Sequence, residues 1–258
     1  MSKKNLNKLA DKLVNAFLKN KIIKPLPLKY TKKISEAQKF RKLCESKIKK
    51  PIIGFKAAGT GIPVLKKLKE KEPFYAAVYK HNVLKNNQTV KINKYTMGIE
   101  LEVCYLIKNS FFDFKVKINK NNIKKFISHI APCIEVVGYR QKKKGIKSLG
   151  DLCSDFGANI KFIIGTNKKF KNQNIKNLQT NISNTKIKQS VNGNTNTVYI
   201  NPMNSLRFVL SKLQKDKVKH DNDFYVFTGS TVGVVPIKGK GIYKGKINKL
   251  GTVKTKIN

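Results

Sequence analysis

The segment from Gly98 to Ile107 constrains the fold of this chain more than any other. It alternates two glutamates, Glu100 and Glu102, with apolar residues, and the side chains of a β-strand alternate between its two faces. Both carboxylates therefore point to one face, while the apolar residues between them point to the other. The segment predicts a strand with one face in a hydrophobic core and two carboxylates side by side on the opposite face.

Two carboxylates so close together repel each other, and one of them holds a proton at a raised pKa unless a cation lies between them. Glu135 is a third acid, in the otherwise apolar run 130–139. An acid in such a strand must be paired, neutral or metal-bound. Mg²⁺ prefers oxygen ligands in an octahedron, and three carboxylates from two strands would supply one face of it. Glu100, Glu102 and Glu135 are thus candidate ligands of Mg²⁺ or Mn²⁺.

The spacing of these acids also allows a second interpretation. Glu100 and Glu102 would then face solvent on an edge strand and form salt bridges with some of the many lysines. Spacing alone favours this solvent-facing interpretation over a metal site.

The rest of the chain divides into a helical beginning and a strand-rich remainder. Apolar residues at helical spacing predict helices over 5–20 and 35–47, the second capped by Ser35, with a proline-containing link between them. Two further helices are predicted at 120–128 and 203–214. Strands are predicted at 52–56, 75–79, 88–92, 98–107, 130–139, 160–164, 223–228, 232–237, 241–247 and 252–257.

This pattern predicts an α+β fold with a large mixed β-sheet core, roll-like or barrel-like, and an N-terminal helical portion. We expect the helical portion to cover residues 1–50 and a sheet-rich, metal-binding catalytic domain to cover 51–258. Residues 166–197 are rich in Asn, Lys and Thr, which indicates loops and exposed strands.

The charge of the chain is strongly positive: 55 Lys and Arg against 14 Asp and Glu give a net charge of +41. Such a balance suggests nucleic acid as a partner. However, the lysines are spread over the whole length and accompany many Asn and Ile residues, as an AT-rich coding sequence would produce. We therefore interpret most of them as a solvated surface, with nucleic acid an unlikely partner, although their field should attract small anionic ligands.

Four widely spaced cysteines are predicted to be buried, reduced thiols: Cys44, Cys104, Cys133 and Cys153. The sequence has no uninterrupted apolar run of the ~20 residues that a membrane helix needs. The N-terminus lacks the apolar stretch and cleavage site of a signal peptide. We expect a cytoplasmic protein without membrane association.

Five segments, in order from about residue 35 to the C-terminus, resemble a known family. They are Gly54-Phe-Lys56-Ala-Ala-Gly-Thr60, Ile99-Glu100-Leu-Glu102-Val103, Ala131-Pro-Cys-Ile-Glu135-Val-Val-Gly-Tyr-Arg140, Asn201-Pro-Met-Asn-Ser-Leu-Arg207 and Phe227-Thr228-Gly-Ser230. Together they resemble the fumarylacetoacetate hydrolase superfamily, and within it the branch of 2-keto-4-pentenoate hydratase and 4-oxalocrotonate decarboxylase. Each segment is short, but five in order are specific.

The resemblance implies roles for individual residues. It implies that Glu100, Glu102 and Glu135 are the metal ligands and that Lys56 is a catalytic residue near the substrate. Further substrate-binding residues implied by it are Arg140, Asp155, Thr228 and Ser230. Arg140 would serve equally well as a structural ion-pair partner.

The sequence departs from the family at two places. Where the family commonly has acids after its Glu-Pro-x-Tyr-Gly stretch, this chain has Lys80 and His81. His81 is a candidate for the missing proton-transfer group, since histidine works near neutral pH, but a surface histidine would fit the sequence equally well. The family's Asp-Asn pair is here Asp155-Phe156, so one polar group is lost.

The resemblance implies an enzyme, a metal-dependent hydratase that adds water to a 2-hydroxydienoate or 2-keto-4-pentenoate type of acid in aromatic-compound catabolism. A 4-oxalocrotonate-type decarboxylase and an acylpyruvate hydrolase of the same superfamily are alternatives. A basic polyanion-binding protein on this fold is the non-enzyme alternative. The expected partner is a small anionic 2-oxo or 2-hydroxy acid, and we expect a homo-oligomer.

Overall fold

A computed structural model describes residues 3–258, which form an α+β fold as predicted. The five α-helices are α1 (Lys3–Lys19), α2 (Ile34–Ser46), α3 (Ile62–Lys67), α4 (Leu149–Ser154) and α5 (Pro202–Lys215). No helix among residues 3–258 is long and apolar enough to cross a membrane.

The larger of two sheets curls into a half-barrel whose strands follow the order β2-β1-β11-β5-β6-β7-β3, with β8 added beside β6. The pairs β1–β11 and β3–β7 are parallel, and the other pairs are antiparallel. Its strands are β1 (Ile52–Ala58), β2 (Phe74–Tyr79), β3 (Val83–Lys85), β5 (Thr96–Ile107), β6 (Ile127–Gly138), β7 (Asn159–Ile164), β8 (Lys168–Lys169) and β11 (Phe224–Ser230).

The smaller sheet has five strands in the order β10-β9-β12-β13-β4 and lies against the larger sheet. Its strands are β4 (Thr89–Val90), β9 (Gln179–Asn184), β10 (Gln189–Asn194), β12 (Gly241–Ile247) and β13 (Gly251–Ile257). The close approach of the two sheets requires a glycine in β12, because a Cβ atom at Gly245 would lie 2.5 Å from Leu101 Cδ1 of the larger sheet.

The N-terminal helices share a hydrophobic core with the sheets. Helix α1 buries Leu13 and Phe17 on one face, and α2 buries Phe40, all at helical spacing. These side chains belong to one continuous cluster with Leu101 and Ile134 of the larger sheet. All four cysteines are buried, and none of them forms a disulfide in the described part of the chain, as predicted.

Two predicted elements are wrong. Residues 120–128 form only a short 3₁₀ turn over Ile123–Phe126, because β6 starts at Ile127 and pairs there with Ile107. Residues 232–237 form a loop whose only ladder contact is an isolated bridge from Val235 to Ile99. Pro236 cannot donate to a sheet ladder, which explains why a longer strand does not form.

Two other predictions need smaller corrections. Helix α2 starts at Ile34, one residue before Ser35, so Ser35 does not cap it and no side chain bonds at its N-cap. The strand predicted at 88–92 is reduced to the two residues of β4.

Candidate metal centre and active site

The three glutamates predicted as ligands meet in the curled sheet. Strands β5 and β6 pair in a register that places Glu100 directly opposite Glu135 and Glu102 opposite Cys133. The three carboxylates thus lie on one face of two adjacent strands, and one oxygen of each lies within 4.8 Å of those of the others. Glu102 and Glu135 are completely buried and Glu100 is half-buried, which excludes the solvent-facing interpretation for Glu102.

Each buried carboxylate has one oxygen with a hydrogen-bond partner and one without. Glu102 Oε2 accepts a bond of 3.0 Å from the backbone N–H of Gly229, and Glu135 Oε1 accepts from Lys56 Nζ. Among the described residues, Glu102 Oε1 and Glu135 Oε2 have no partner although both are buried. A buried polar atom without a partner costs free energy, and a hard divalent cation among the three carboxylates would supply one. The donor set therefore fits such an ion.

The pKa values of Glu100 and Glu102 are also consistent with a cation-binding site. Burial and the charge of Glu135 raise the pKa of Glu100 to about 7, although Lys56 opposes the shift. Burial, Glu135 and Glu100 raise the pKa of Glu102 well above its ordinary value. Without a cation, these acids hold protons at a pH where glutamate is normally ionised.

Lys56 lies at the end of β1 beside the carboxylates, and it is 3% exposed. Burial lowers its pKa, but the charges of Glu135, Glu100 and Glu102 outweigh this effect, so the pKa is raised and the side chain is an ammonium. Besides Glu135, its Nζ donates a bond of 3.2 Å to the carbonyl oxygen of Gly157.

A strained turn holds that carbonyl in place. Phe156, Gly157 and Ala158 all have left-handed backbone conformations, with φ of 54°, 75° and 56°. Only glycine adopts this conformation without strain, and such strain collects at functional sites. In the sequence, Gly157 is the only residue that indicates this turn, because nothing there predicts left-handed conformations for Phe156 and Ala158.

The backbone N–H that bonds Glu102 also depends on a glycine. Gly229 has φ of 102°, and a Cβ atom there would lie 1.9 Å from Thr60 Oγ1. Gly229, in the segment Phe227-Thr228-Gly-Ser230, therefore lets β11 pass close to the loop after β1 while its N–H donates to Glu102.

A cavity of about 280 Å³ opens next to Glu100 and Lys56. Of the side chains that line it, only these two are ionisable. The other polar side chains are Thr60, Thr197 and Ser230. The remaining side chains of the wall are apolar, namely Ala57, Ala58, Pro63, Val64, Met97, Val137, Ile146, Leu152, Ala158 and Val234.

The predicted Thr-Gly-Ser residues take different places. Ser230 lines the cavity and donates a bond of 2.8 Å to Gly233 O at its edge. Thr228 is buried behind the cavity wall, where its hydroxyl donates to Val103 O at 2.7 Å.

Arg140 and Asp155 form a buried pair outside the cavity lining. The backbone N–H of Arg140 donates to Asp155 Oδ2 at 2.9 Å, and its guanidinium bonds Asp155 Oδ1 at 3.3 Å. The guanidinium also lies 4.6 Å from the ring centre of Phe17. Arg140 thus forms the ion pair considered from the sequence, and a substrate-binding role for Arg140 and Asp155 remains a prediction.

His81 lies away from the cavity, in a 3₁₀ turn after β2. Its ring packs edge-on against Phe17 at 5.2 Å. Burial and the positive charges of Lys161 and Arg140 lower its pKa to about 4, so it is neutral at pH 7. The geometry does not bring His81 together with the glutamates and Lys56, and its catalytic role remains a prediction.

No protein-family model matches the sequence, and no curated protein sequence matches it. Several solved structures do share its fold. The 4-oxalocrotonate decarboxylase from Pseudomonas putida G7, complexed with magnesium and adipate, matches with a TM-score of 0.83 and 17% sequence identity, over 100% of this chain and 99% of that chain.

Other solved structures match this fold less closely. A putative fumarylacetoacetate hydrolase family protein from Yersinia pestis CO92 matches with a TM-score of 0.55 and 15% identity, over 82% of this chain and 95% of that one. The 2-hydroxyhepta-2,4-diene-1,7-dioate isomerase from Mycobacterium marinum matches with a TM-score of 0.53 and 12% identity, over 81% and 76%. The resemblance found in the sequence is therefore confirmed at the level of the fold.

Proposed function

We propose that this chain is a divalent-metal-dependent enzyme of the fumarylacetoacetate hydrolase superfamily that decarboxylates a small 2-oxo dicarboxylic acid of the 4-oxalocrotonate type. One observation carries the proposal: three glutamates, two of which have an unpartnered buried oxygen, converge beside a cavity that holds one ammonium and is otherwise mostly apolar. The fold shared over its whole length with a 4-oxalocrotonate decarboxylase supports it.

Glu100, Glu102 and Glu135 would hold the ion, Mg²⁺ or Mn²⁺. When bound, the ion supplies a Lewis acid that polarises the 2-oxo group of the substrate and offsets the charge of its neighbouring carboxylate. The unpartnered oxygens of Glu102 and Glu135 are the atoms that the structure leaves for it.

Lys56 is positioned to stabilise charge that develops during the reaction. When a carbon–carbon bond to a carboxylate breaks, its electrons move into the conjugated 2-oxo group, which becomes negatively charged. The Lys56 ammonium is fixed by Glu135 and Gly157 O and lines the cavity, so it needs no reorganisation to meet that charge.

The apolar walls favour loss of CO₂. A carboxylate pressed against side chains such as Met97, Ile146 and Val234 loses its hydration, while the CO₂ that forms from it is uncharged and needs none. The same walls shield the resulting enolate from water, and the Lys56 ammonium that lines the cavity would supply the proton that neutralises it.

The titratable groups of the cavity favour decarboxylation over hydration. Decarboxylation needs a place for the electrons but no base, whereas hydration needs a base that activates water. Lys56 is protonated, and Glu100 belongs to the proposed ligand set. The hydratase inferred from the sequence therefore becomes the alternative.

An assay with two substrates separates these functions. The purified protein is incubated with 4-oxalocrotonate, with Mg²⁺ or after chelation, and released CO₂ is measured. In parallel, 2-hydroxypenta-2,4-dienoate is followed spectrophotometrically for hydration. We expect metal-dependent CO₂ release that is lost in Glu102→Gln and retained in the control Glu70→Gln, which lies outside the cavity.

The other outcomes are equally informative. Turnover of the dienoate without CO₂ release would establish the hydratase instead. Absence of turnover on both substrates by a folded, metal-loaded protein would contradict both activities and leave only the fold.

A further inference from the structure

The outer face of the smaller sheet carries four exposed lysines. Along β12 and β13, exposed and buried residues alternate strictly, and Lys244, Lys246, Lys254 and Lys256 all lie on the exposed face. The register places Lys244 directly opposite Lys254. We call this surface, with the exposed residues of β9 and β10 beside it, the lysine face.

No acid balances the lysine face. Asp and Glu are absent from residues 156–215 and 224–258, which include four of the five strands, and β4 contains none either. Each ion pair among the described residues uses partners outside these strands. The positive charge of the face is therefore uncompensated within the described part of the chain.

The arrangement of these lysines opposes folding. Like charges directly opposite each other on neighbouring strands destabilise a sheet, and Lys244 and Lys254 form such a pair. A polyanion on this face would remove that repulsion. Solubility alone does not require lysines to lie directly opposite each other on neighbouring strands.

The lysines continue into a row of uncharged polar groups. On β9 and β10, Asn181 lies opposite Asn192, and its side-chain amide bonds Ser190 Oγ at 2.9 Å. Hydroxyl and amide groups of this kind, together with lysine, are the usual donors to phosphate oxygens. The face also lacks an exposed aromatic ring, since Tyr243 of β12 points inward.

The lysines are dispersed in the sequence, which made nucleic acid an unlikely partner, but the fold gathers four of them on one exposed face. We propose that the lysine face binds the phosphate backbone of a nucleic acid without reading its sequence. Lysines two residues apart on one strand are separated by roughly 7 Å, about twice the ~3.4 Å rise between phosphates along one nucleic-acid strand. Point charges without base-stacking rings give affinity that depends on salt and not on sequence. The face lies on the far side of the smaller sheet from the larger one, so it is separate from the cavity.

Other partners fit the face less well. A membrane-surface site requires several apolar side chains that enter the lipid interface, and Ile242 is the only large apolar side chain exposed among the described residues of β12 and β13. A second copy of the chain would bring another acid-free lysine face, so the two would repel.

The test must separate the lysine face from the general charge of +41. One variant replaces Lys244, Lys246, Lys254 and Lys256 by Gln. The matched control introduces Gln at four lysines of α1 that are also exposed, namely Lys4, Lys8, Lys12 and Lys19. Both variants lose the same charge, and the lysine-face variant should fold at least as stably as the wild type because the repulsion is removed.

Binding of a short fluorescein-labelled DNA duplex of random sequence is measured by anisotropy between roughly 50 and 200 mM KCl. We expect the lysine-face variant to bind the duplex at least about tenfold more weakly. The fall of log K with log salt should become less steep by about 3 to 4, since each of the four lost phosphate contacts contributes about 0.9. The α1 control should stay close to wild type in both quantities.

Three results would overturn the proposal. Equal losses in both variants would show that only total charge matters. An unchanged duplex affinity in a folded lysine-face variant would show that the face does not bind DNA. Sedimentation with anionic lipid vesicles that depends on the lysine face, without any dependence of DNA binding on it, would assign the face to membranes.

Discussion

Lys56 illustrates how one buried side chain can serve both the fold and the chemistry. Its ammonium offsets the charge of Glu135 and lines the cavity. We predict that Lys56→Met lowers kcat by on the order of a hundredfold or more, since a preorganised charge next to the substrate is lost. Binding of Mg²⁺ should persist, because the substitution frees an oxygen of Glu135 for the ion.

Steady-state kinetics and calorimetric Mg²⁺ titration of Lys56→Met test this expectation. Lys91→Met, which changes an exposed lysine, is the control. An unchanged kcat in Lys56→Met would remove Lys56 from the reaction, and a loss of metal binding would mean that the lysine organises the ligands instead.

The raised pKa of Glu100 has a consequence for stability. Its pKa rises from 4.5 to about 7 on folding, so the metal-free folded protein holds more protons than the unfolded chain in this interval. The metal-free protein should therefore lose stability as the pH rises from about 4.5 to about 7. Mg²⁺ needs deprotonated ligands, so its affinity should rise over the same interval.

Thermal denaturation across this pH range, with and without saturating Mg²⁺, measures both effects. The increase in Tm caused by Mg²⁺ should grow with pH and level off above about pH 7. A Tm increase that is independent of pH would contradict the protonation of the free carboxylates.

At the scale of single elements, the C-terminal end of strand β11 should be highly sensitive to substitution. Gly229 has positive φ and leaves no space for a Cβ atom beside Thr60. Gly229→Ala should lower the free energy of unfolding by about 3 kcal/mol or more. It should also weaken metal binding, because the backbone N–H that donates to Glu102 moves. Gly145→Ala is the matched control, because Gly145 has φ of 73° but nothing within 4 Å of its Cβ position.

Chemical denaturation and metal titration of the two alanine variants check this prediction. Both variants carry the cost of a left-handed alanine, so their difference reports the contact with Thr60. If the two variants lose equal stability and both retain metal affinity, the close approach at Gly229 is not important for the site.

The elements show which features the sequence could predict. The strand 98–107 was predictable because alternation of acids and apolar residues is a local pattern. The predicted strand at 232–237 and helix at 120–128 were wrong because Pro236 and the pairing of Ile127 with Ile107 decide those segments.

The site itself was predictable only in part. Glu100, Glu102 and Lys56 could be proposed from local patterns and from the family resemblance. That Glu100 lies opposite Glu135 depends on the register of two strands that start 31 residues apart, and that Gly157 O holds Lys56 depends on a strained turn. The register has no signature in the residues involved, and Gly157 is the only residue that indicates the strained turn.

At the scale of the whole molecule, the helical portion and the sheets share a core. Phe17 and Phe40 lie in the same hydrophobic cluster as Leu101. We therefore propose that residues 1–50 and 51–258 differ in composition and secondary structure but fold as one unit. Thermal unfolding should show one cooperative transition, and residues 51–258 alone should not fold, since they would expose the apolar surface that α1 and α2 cover.

Calorimetry of the full chain and circular dichroism of the truncated one measure this. Equal calorimetric and van't Hoff enthalpies are expected for the full chain. A truncated chain with a cooperative transition of its own would show that residues 51–258 form an independent domain.

The central claim is that Glu100, Glu102 and Glu135 hold one divalent ion. The most direct measurement is titration of the metal-free protein with Mn²⁺, followed by electron paramagnetic resonance of the free ion. We predict one tight site per chain in the wild type and in the control Glu70→Gln, and loss of that site in Glu102→Gln and in Glu135→Gln. Absence of a tight site in the wild type, or its persistence in both of these variants, would contradict the claim.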